Sequence, residues 1–376
     1  MSISEVDGVA TSELGVGAAS EVEGSRRWRY LPRTVESGLT WRNLAVVRRT
    51  AVALWLVCVC LSLWHNGIAY DRTTLLIYMC SGLLVASIGR RKFWTVFVDW
   101  LPFAAILYLY DMTRGVAEWM GMPTHWTLAP DFDRGLFGQV PTVWLQGELK
   151  QVSPPWWEIG TSTIYISFFV VPYVVAGVLW LRNRRVWARY AVCFVAMSFL
   201  ALVGYTLVPG APPWAAAKCA AVEVADHPRD PACIYGPGPR ADGGLLGVAD
   251  HAQPGSSPLV ERISGRGWQV LHLRSAESML QVGQAKSNLV AAIPSLHAGL
   301  TMMLALFMWP RVKALGRTLF VGYALAMAFT LVYTGEHYVF DVLLGWGLAA
   351  VVVGSVAYVD RLLSRRRAQR SCSDAG

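Results

Sequence analysis

The chain has 376 residues, of which 54% are hydrophobic and only 15% charged, with 17 Trp, a mean hydropathy of +0.39 and a formal net charge of +8. A soluble domain carries about 25% charged residues, so this composition excludes an ordinary soluble fold and reads as a membrane protein. The basic excess does not indicate nucleic-acid binding, because the Arg residues cluster beside apolar runs, as cytoplasmic anchors do, instead of forming a duplex-binding face.

Residues 1–25 are rich in Ser, Glu and Gly without apolar periodicity, and a partly disordered tail is expected over 1–43. Eight apolar runs of spanning length follow, near 44–65, 72–89, 93–111, 158–181, 187–208, 289–309, 318–335 and 338–358. Arg48-Arg49 precede the first run, Arg90-Arg91-Lys92 follow the second, and Arg182, Arg184 and Arg185 follow the fourth. Arg311, Lys313 and Arg317 follow the sixth, and Arg365-Arg366-Arg367 the last. All five clusters fall on one side if every run crosses, which puts both termini in the cytoplasm of a multi-pass plasma-membrane protein. The first run lies too far in, and lacks the small-residue cleavage site, to be a removable signal peptide.

The expected fold is therefore all-α, a polytopic helical bundle of about eight spans with helical interfacial loops on the outer side. Its parts are the tail 1–43, spans and an outer loop over 44–157, a membrane domain over 158–358 that includes an outer loop 209–288, and a basic tail 359–376 lying against anionic lipid. In the first loop, Trp119, Trp126, Trp144, Trp156 and Trp157 suggest short helices in the headgroup region. An aromatic belt is preferred there over a cover for a substrate site. The second loop is too long for a mere connector and reads either as a lid or, over 237–258, as a flexible tether.

Cys58, Cys60, Cys80 and Cys193 fall in spans as small apolar residues, and Cys372 lies in the tail. Cys219 and Cys233 share the outer, oxidising side, where a disulfide is expected. No Cys or His spacing suits zinc or haem and no glycine-rich phosphate loop follows a strand, so neither metal nor cofactor is expected. Asp99, Asp111, His65 and His125 border spans, and a solvated or helix-capping role is the default for each. Abundant Ala, Gly, Arg and Pro with few Lys matches a GC-rich bacterial genome, such as an actinobacterial one.

The chemistry concentrates at the outer ends of the later spans. His297 opens the sixth run within Pro294-Ser295-Leu296-His297, and His337 opens the eighth, with Asp341 one helical turn on. Ionisable groups at membrane depth are costly, and an Asp four residues from a His can fix its tautomer and stabilise its cation. Either His alone could simply cap a helix or bond a loop carbonyl. The pair with Asp341 suits a nucleophile and a general acid–base.

Pro-Ser-x-His followed some forty residues later by His-x-x-x-Asp resembles the type 2 phosphatidic acid phosphatase superfamily of membrane phosphotransferases. Ala211-Pro212-Pro213-Trp214, and Leu296 in place of Gly before the first His, are more similar to its inositol phosphorylceramide synthase branch. The likeness covers about residues 160–358. It implies that His337 attacks phosphorus, Asp341 orients its other ring nitrogen, and His297 protonates the leaving oxygen and later deprotonates the acceptor hydroxyl. Ser295 and the N–H groups opening that helix would hold phosphate oxygens. Pro212 and Trp214 would wall the donor pocket, or merely form a rigid span end with an interfacial ring.

The phosphatases of that superfamily carry a Ser-Arg pair where this chain has Thr330 and Leu331, and their Lys-x6-Arg-Pro element is missing. Fewer guanidinium groups suit a diester better than a monoester. The expected reaction moves a phosphoryl-linked headgroup, inositol phosphate from phosphatidylinositol, onto an acceptor lipid hydroxyl. Lys286 is the first candidate for the phosphate cation, followed by Arg262, Arg266, Arg274 and Lys218. The partners are then a phospholipid donor, a lipid acceptor and the bilayer, with no nucleic acid, and the oligomeric state is open. Two alternatives stand beside this reading: a lipid or polyprenyl phosphate phosphatase that transfers to water, and a non-catalytic lipid transporter or scaffold.

Overall fold

A computed structural model describes residues 41–66, 72–90, 92–120, 122–271 and 292–373. The described residues are all-α apart from one isolated parallel bridge, between His125 and Gly210. The helices are α1 Trp41–Asn66, α2 Arg72–Ala86, α3 Phe93–Met120, α4 Leu128–Phe137, α5 Pro141–Leu149, α6 Glu158–Ser167, α7 Val171–Arg182 and α8 Arg184–Leu207. Three short ones follow, α9 Pro213–Ala216, α10 Ala221–Asp226 and α11 Gly267–Val270. Then come α12 Leu296–Met308, α13 Ala314–Tyr333 and α14 Val339–Ser373.

Every expected span has a helical counterpart, but the count of eight is not carried by length and composition. Among the described residues four helices are long and apolar enough to cross a membrane, or five if α6 and α7, bent by 51° at a short break, form one span. Helix α12 shows how a shorter element fits. Its 13 residues reach about 20 Å, less than the ~30 Å hydrocarbon layer. It is buried on nearly all sides, against α8, α13 and α14, and non-helical backbone at its ends is tolerated where protein instead of lipid surrounds it. Helix α3 runs on to Met120, past the expected end near 111.

The main core gathers apolar residues of α2, α3, α7, α8, α12 and α14, among them Trp100, Trp180, Tyr190, Met197, Met303 and Leu304. The α12–α14 crossing depends on glycine. A Cβ on Gly345 would stand 2.4 Å from the Ser295 carbonyl oxygen, and one on Gly299 would stand 3.1 Å from that of Gly345. Small residues on both helices therefore set the close approach of the segments that carry His297 and Asp341.

The end of the bundle opposite the two histidines is basic. Asn183 caps α8 by accepting from Arg185 N at 3.0 Å and Val186 N at 3.3 Å. Asp99 departs from its expected solvated or capping role. It is buried in α3, where it accepts from Trp180 Nε1 at 2.7 Å and pairs with Arg184. Arg189 bridges to Asp360 at 2.9 Å. The side chains of Asp111 and His65 lie outside the described residues.

Candidate active site

The site forms where α12 and α14 begin and α13 ends. Helix α13 closes on a tight turn: Glu336 N and His337 N both donate to the Leu331 carbonyl, at 3.0 and 3.2 Å. Gly335 provides the left-handed residue of this turn, with φ +75°, and its carbonyl accepts from Trp214 N at 3.1 Å. His337 Nδ1 then lies 3.3 Å from Asp341 Oδ2, an oxygen that also accepts from Tyr338 N at 3.0 Å. The Asp341 carbonyl accepts from Ser295 N at 3.0 Å, so the two His motifs are joined through the backbone. The His297 and His337 ring centroids are 5.9 Å apart.

Aromatic rings of the broken α6–α7 segment set His297. Its ring stacks on Tyr165 at 5.3 Å and lies 3.9 Å from Phe168, with Phe169 edge-on at 5.9 Å. His337 is 7% exposed and Asp341 fully buried. With Nδ1 turned to Asp341, Nε2 is the ring nitrogen on the far side, the geometry an imidazole needs to use one nitrogen while a carboxylate steadies the other.

Ser295 is the N-cap of α12. Its hydroxyl oxygen accepts from Ala298 N at 3.3 Å and the residue is fully buried at the helix end. Pro212 caps α9, and Trp214 is 7% exposed. Instead of facing a bilayer interface, the Trp214 ring lies against two cations, with the Arg262 guanidinium carbon at 5.0 Å and Lys218 Nζ at 5.4 Å. His125 is exposed, in keeping with its default solvated role, while its backbone N donates to Pro209 O at 2.8 Å and its carbonyl accepts from Ala211 N at 3.2 Å, which positions this corner.

The proposed cations have separate fates. Lys286 and Arg274 lie outside the described residues. Lys218 donates to the carbonyls of Ile234 and Gly236, at 3.2 and 2.7 Å, and burial, with Arg262 nearby, lowers its pKa. Arg266 is forked onto Glu158 and also donates to Gln151 O at 2.9 Å, while Tyr333 Oη donates to Glu158 at 2.5 Å. Arg262 makes a two-bond fork with Glu336, 2.9 Å on each arm, and Ser264 Oγ donates to the same carboxylate at 2.6 Å. Burial alone would raise the Glu336 pKa, but Arg262 and Ser264 hold it below the ordinary glutamate value.

The first outer segment was expected to be an aromatic belt and the second either a lid or, over 237–258, a tether; residues of both pack against the helices that carry the histidines. Asp133 of α4 is fully buried, and its two oxygens accept from Val339 N and Phe340 N at 3.0 Å each. It thus caps α14, the helix that carries Asp341, from 206 positions away. Burial pushes Asp133 up to about 6, against the pull of those two N–H groups. From α5, Gln146 bonds Glu261 through both amide atoms and donates to Tyr333 O at 2.9 Å. Lys150, its pKa lowered by burial, bonds Leu259 O at 2.5 Å and Glu261 at 3.1 Å. Trp126 is buried and donates to Pro228 O at 2.8 Å, and the half-buried Trp157 ring lies 5.2 Å from Tyr333, so among the described side chains the belt reading suits Trp144 and Trp156, 48% and 78% exposed; the Trp119 side chain lies outside the described residues. The 237–258 stretch packs on α5, with Gln253 donating to Glu148 O at 2.7 Å. Cys219 and Cys233 form the expected disulfide.

Sequence reasoning missed Asp133, Gln146, Glu158, Tyr165 and the Glu336 carboxylate. Only Glu336 carried a signal, as a second ionisable group adjoining His337 near a span end.

Fold and site together define a polytopic membrane protein with two histidines and a carboxylate clustered at one end of a helical bundle. That class is met in a known family: residues 131–355, more than half of the chain, match the PAP2 superfamily, and the protein belongs to it. The match takes in α4 and α5 as well as the His-bearing helices. The chain is also 22% identical over 313 residues to a phosphoinositol dihydroceramide synthase of Bacteroides thetaiotaomicron, covering 81% of this chain and 87% of that protein. No solved structure matches. The protein is thus a membrane enzyme of the lipid phosphotransferase and phosphatase type.

Proposed function

We propose that the protein transfers a phosphoryl-linked headgroup, inositol phosphate from phosphatidylinositol, to the hydroxyl of an acceptor lipid at the outer leaflet of the plasma membrane, with both termini cytoplasmic. The observation that carries this reading is the contact of His337 Nδ1 with buried Asp341, 5.9 Å from His297 between ring centroids. His337 Nε2 attacks phosphorus as the bond to the diacylglycerol oxygen breaks, and His297 delivers a proton to that oxygen. A phosphohistidine remains. The acceptor hydroxyl then attacks phosphorus, His297 takes its proton, and the N–P bond breaks, so both histidines return to their starting states. Asp341 stabilises the charge that builds on the His337 ring.

The name of the Bacteroides relative supports an inositol-phosphate donor and a dihydroceramide-like acceptor. The basic clusters at the opposite end of the bundle support the orientation. Leu331, fully buried among apolar neighbours where phosphatases of the superfamily carry Arg, supports a diester over a monoester.

The test follows inositol-labelled phosphatidylinositol in mixed micelles with native lipid extract, beside a His337→Ala control. Label moving to a new lipid only with the intact enzyme is the expected result. Label that stays in place, while phosphatidic acid or a polyprenyl phosphate releases inorganic phosphate, would make the protein a phosphatase.

A further inference from the structure

Of the outer-face cations near the site proposed for phosphate or bonded to its loops, three are committed to holding the fold. Lys218 serves two backbone carbonyls, Lys150 serves Leu259 O and Glu261, and Arg266 serves buried Glu158. Arg262 differs in where its partners stand. Its fork grips Glu336, the residue before His337, and it shares a hydrogen bond with Tyr165, whose ring stacks on His297. One guanidinium therefore touches a direct neighbour of each histidine. The fork uses Nε and Nη2, two of the three nitrogens, and a guanidinium carries five N–H donors in all.

Its backbone is held as firmly as its side chain. Glu261 N donates to Gln146 Oε1 at 2.9 Å and Ile263 N to Thr334 O at 3.1 Å, so the residues on either side of Arg262 are pinned to α5 and to the end of α13. The Trp214 ring backs the guanidinium, and Trp214 N holds Gly335. A cation fixed on three sides beside a reaction centre is the arrangement that meets developing charge without reorganising. Glu336 also cancels much of its charge, and Asp341 adds a second carboxylate beside His337. Such a surround tolerates a singly charged diester and repels a doubly charged monoester.

We propose that Arg262 is the group that receives the non-bridging oxygens of the substrate phosphate, and that Glu336, by pairing with it, sets the preference for a phosphodiester over a phosphomonoester. The inference rests on the headgroup-transfer reading above. It places the cation missing from α13 on the second outer loop and makes Glu336 a specificity-determining residue.

The test uses the full-length protein in mixed micelles. It compares kcat/KM for label transfer from phosphatidylinositol and for phosphate release from phosphatidic acid, in wild type, Arg262→Gln, Arg262→Lys and Glu336→Gln. Arg262→Gln is expected to lower kcat/KM on both substrates by roughly 30-fold or more, the scale of a lost charged hydrogen bond, with Arg262→Lys intermediate because it keeps charge without the fork. Glu336→Gln is expected to raise the monoester-to-diester ratio about tenfold, the effect of removing one unit of like charge. Orthovanadate should raise the thermal midpoint of wild type and of Glu336→Gln but not of Arg262→Gln, which also reports whether each variant is folded. If Arg262→Gln does not fold, Arg262→Lys carries the same comparison. An Arg262 variant within threefold of wild type, or a Glu336→Gln ratio within threefold, overturns the inference while wild-type transfer stands. Wild type that releases phosphate from the monoester but moves no label instead overturns the transfer reading.

Discussion

Asp133→Asn tests whether the first outer segment is a working part of the site. The carboxylate is fully buried and holds Val339 N and Phe340 N, one on each oxygen at 3.0 Å. An amide keeps one acceptor and turns an NH2 group toward the other N–H, leaving a buried donor unsatisfied at a cost of about 1–3 kcal/mol. That loss falls on the first turn of α14, two residues after His337, so transfer activity should fall at least tenfold through misplacement of the His337–Asp341 pair. The pH dependence carries an independent sign. Because the folded-state pKa of Asp133 is raised from 3.8 to about 6, its contribution to stability is complete below about pH 4 and is lost as pH rises through 6. Wild type should therefore gain stability relative to Asp133→Asn on acidification from pH 7 to pH 4, by at most about 3 kcal/mol. Thermal unfolding of both proteins in the same detergent, across that pH range, reads the difference, and label transfer reads the activity. A variant with wild-type midpoint at pH 7, wild-type activity and a parallel pH profile would refute the capping role.

Asp341→Asn should leave the fold intact yet cut the turnover rate by about 10²–10⁴-fold, since the imidazole loses the carboxylate that orients and stabilises it; full activity in a phosphohistidine-trapping assay would contradict this. Glu158→Gln should destabilise without changing substrate preference, because it leaves Arg266, 14% exposed, without its buried partner, at a cost of about 3–5 kcal/mol. An altered diester-to-monoester ratio in that variant would place Arg266 at the phosphate instead. Gly345→Ala puts a carbon 2.4 Å from Ser295 O, so α12 and α14 must separate. Activity should drop by more than tenfold with a lowered thermal midpoint, and a variant equal to wild type in both would show that the helices yield without disturbing the histidines.

The spans and the two histidines were legible in the sequence because the bilayer imposes its demands locally. Hydrocarbon requires runs of apolar residues, basic residues mark one end of them, and an ionisable pair at one-turn spacing stands out against that background. The same locality made Asp341 readable from His337, and the shared compartment made the Cys219–Cys233 bond readable. What the sequence could not convey is held by contacts across long separations. Arg262 meets Glu336 over 74 positions and Asp133 meets Val339 over 206, and no periodicity links such partners. Ser295 shows that one residue can carry two readings: its motif marked it as a phosphate ligand, and only the fold shows that its hydroxyl oxygen also caps α12. The candidate reactive groups were thus readable residue by residue, whereas which carboxylate pairs with Arg262 and which one caps α14 was left to tertiary packing, because a buried charge needs a partner and only the folded chain determines which partners are near.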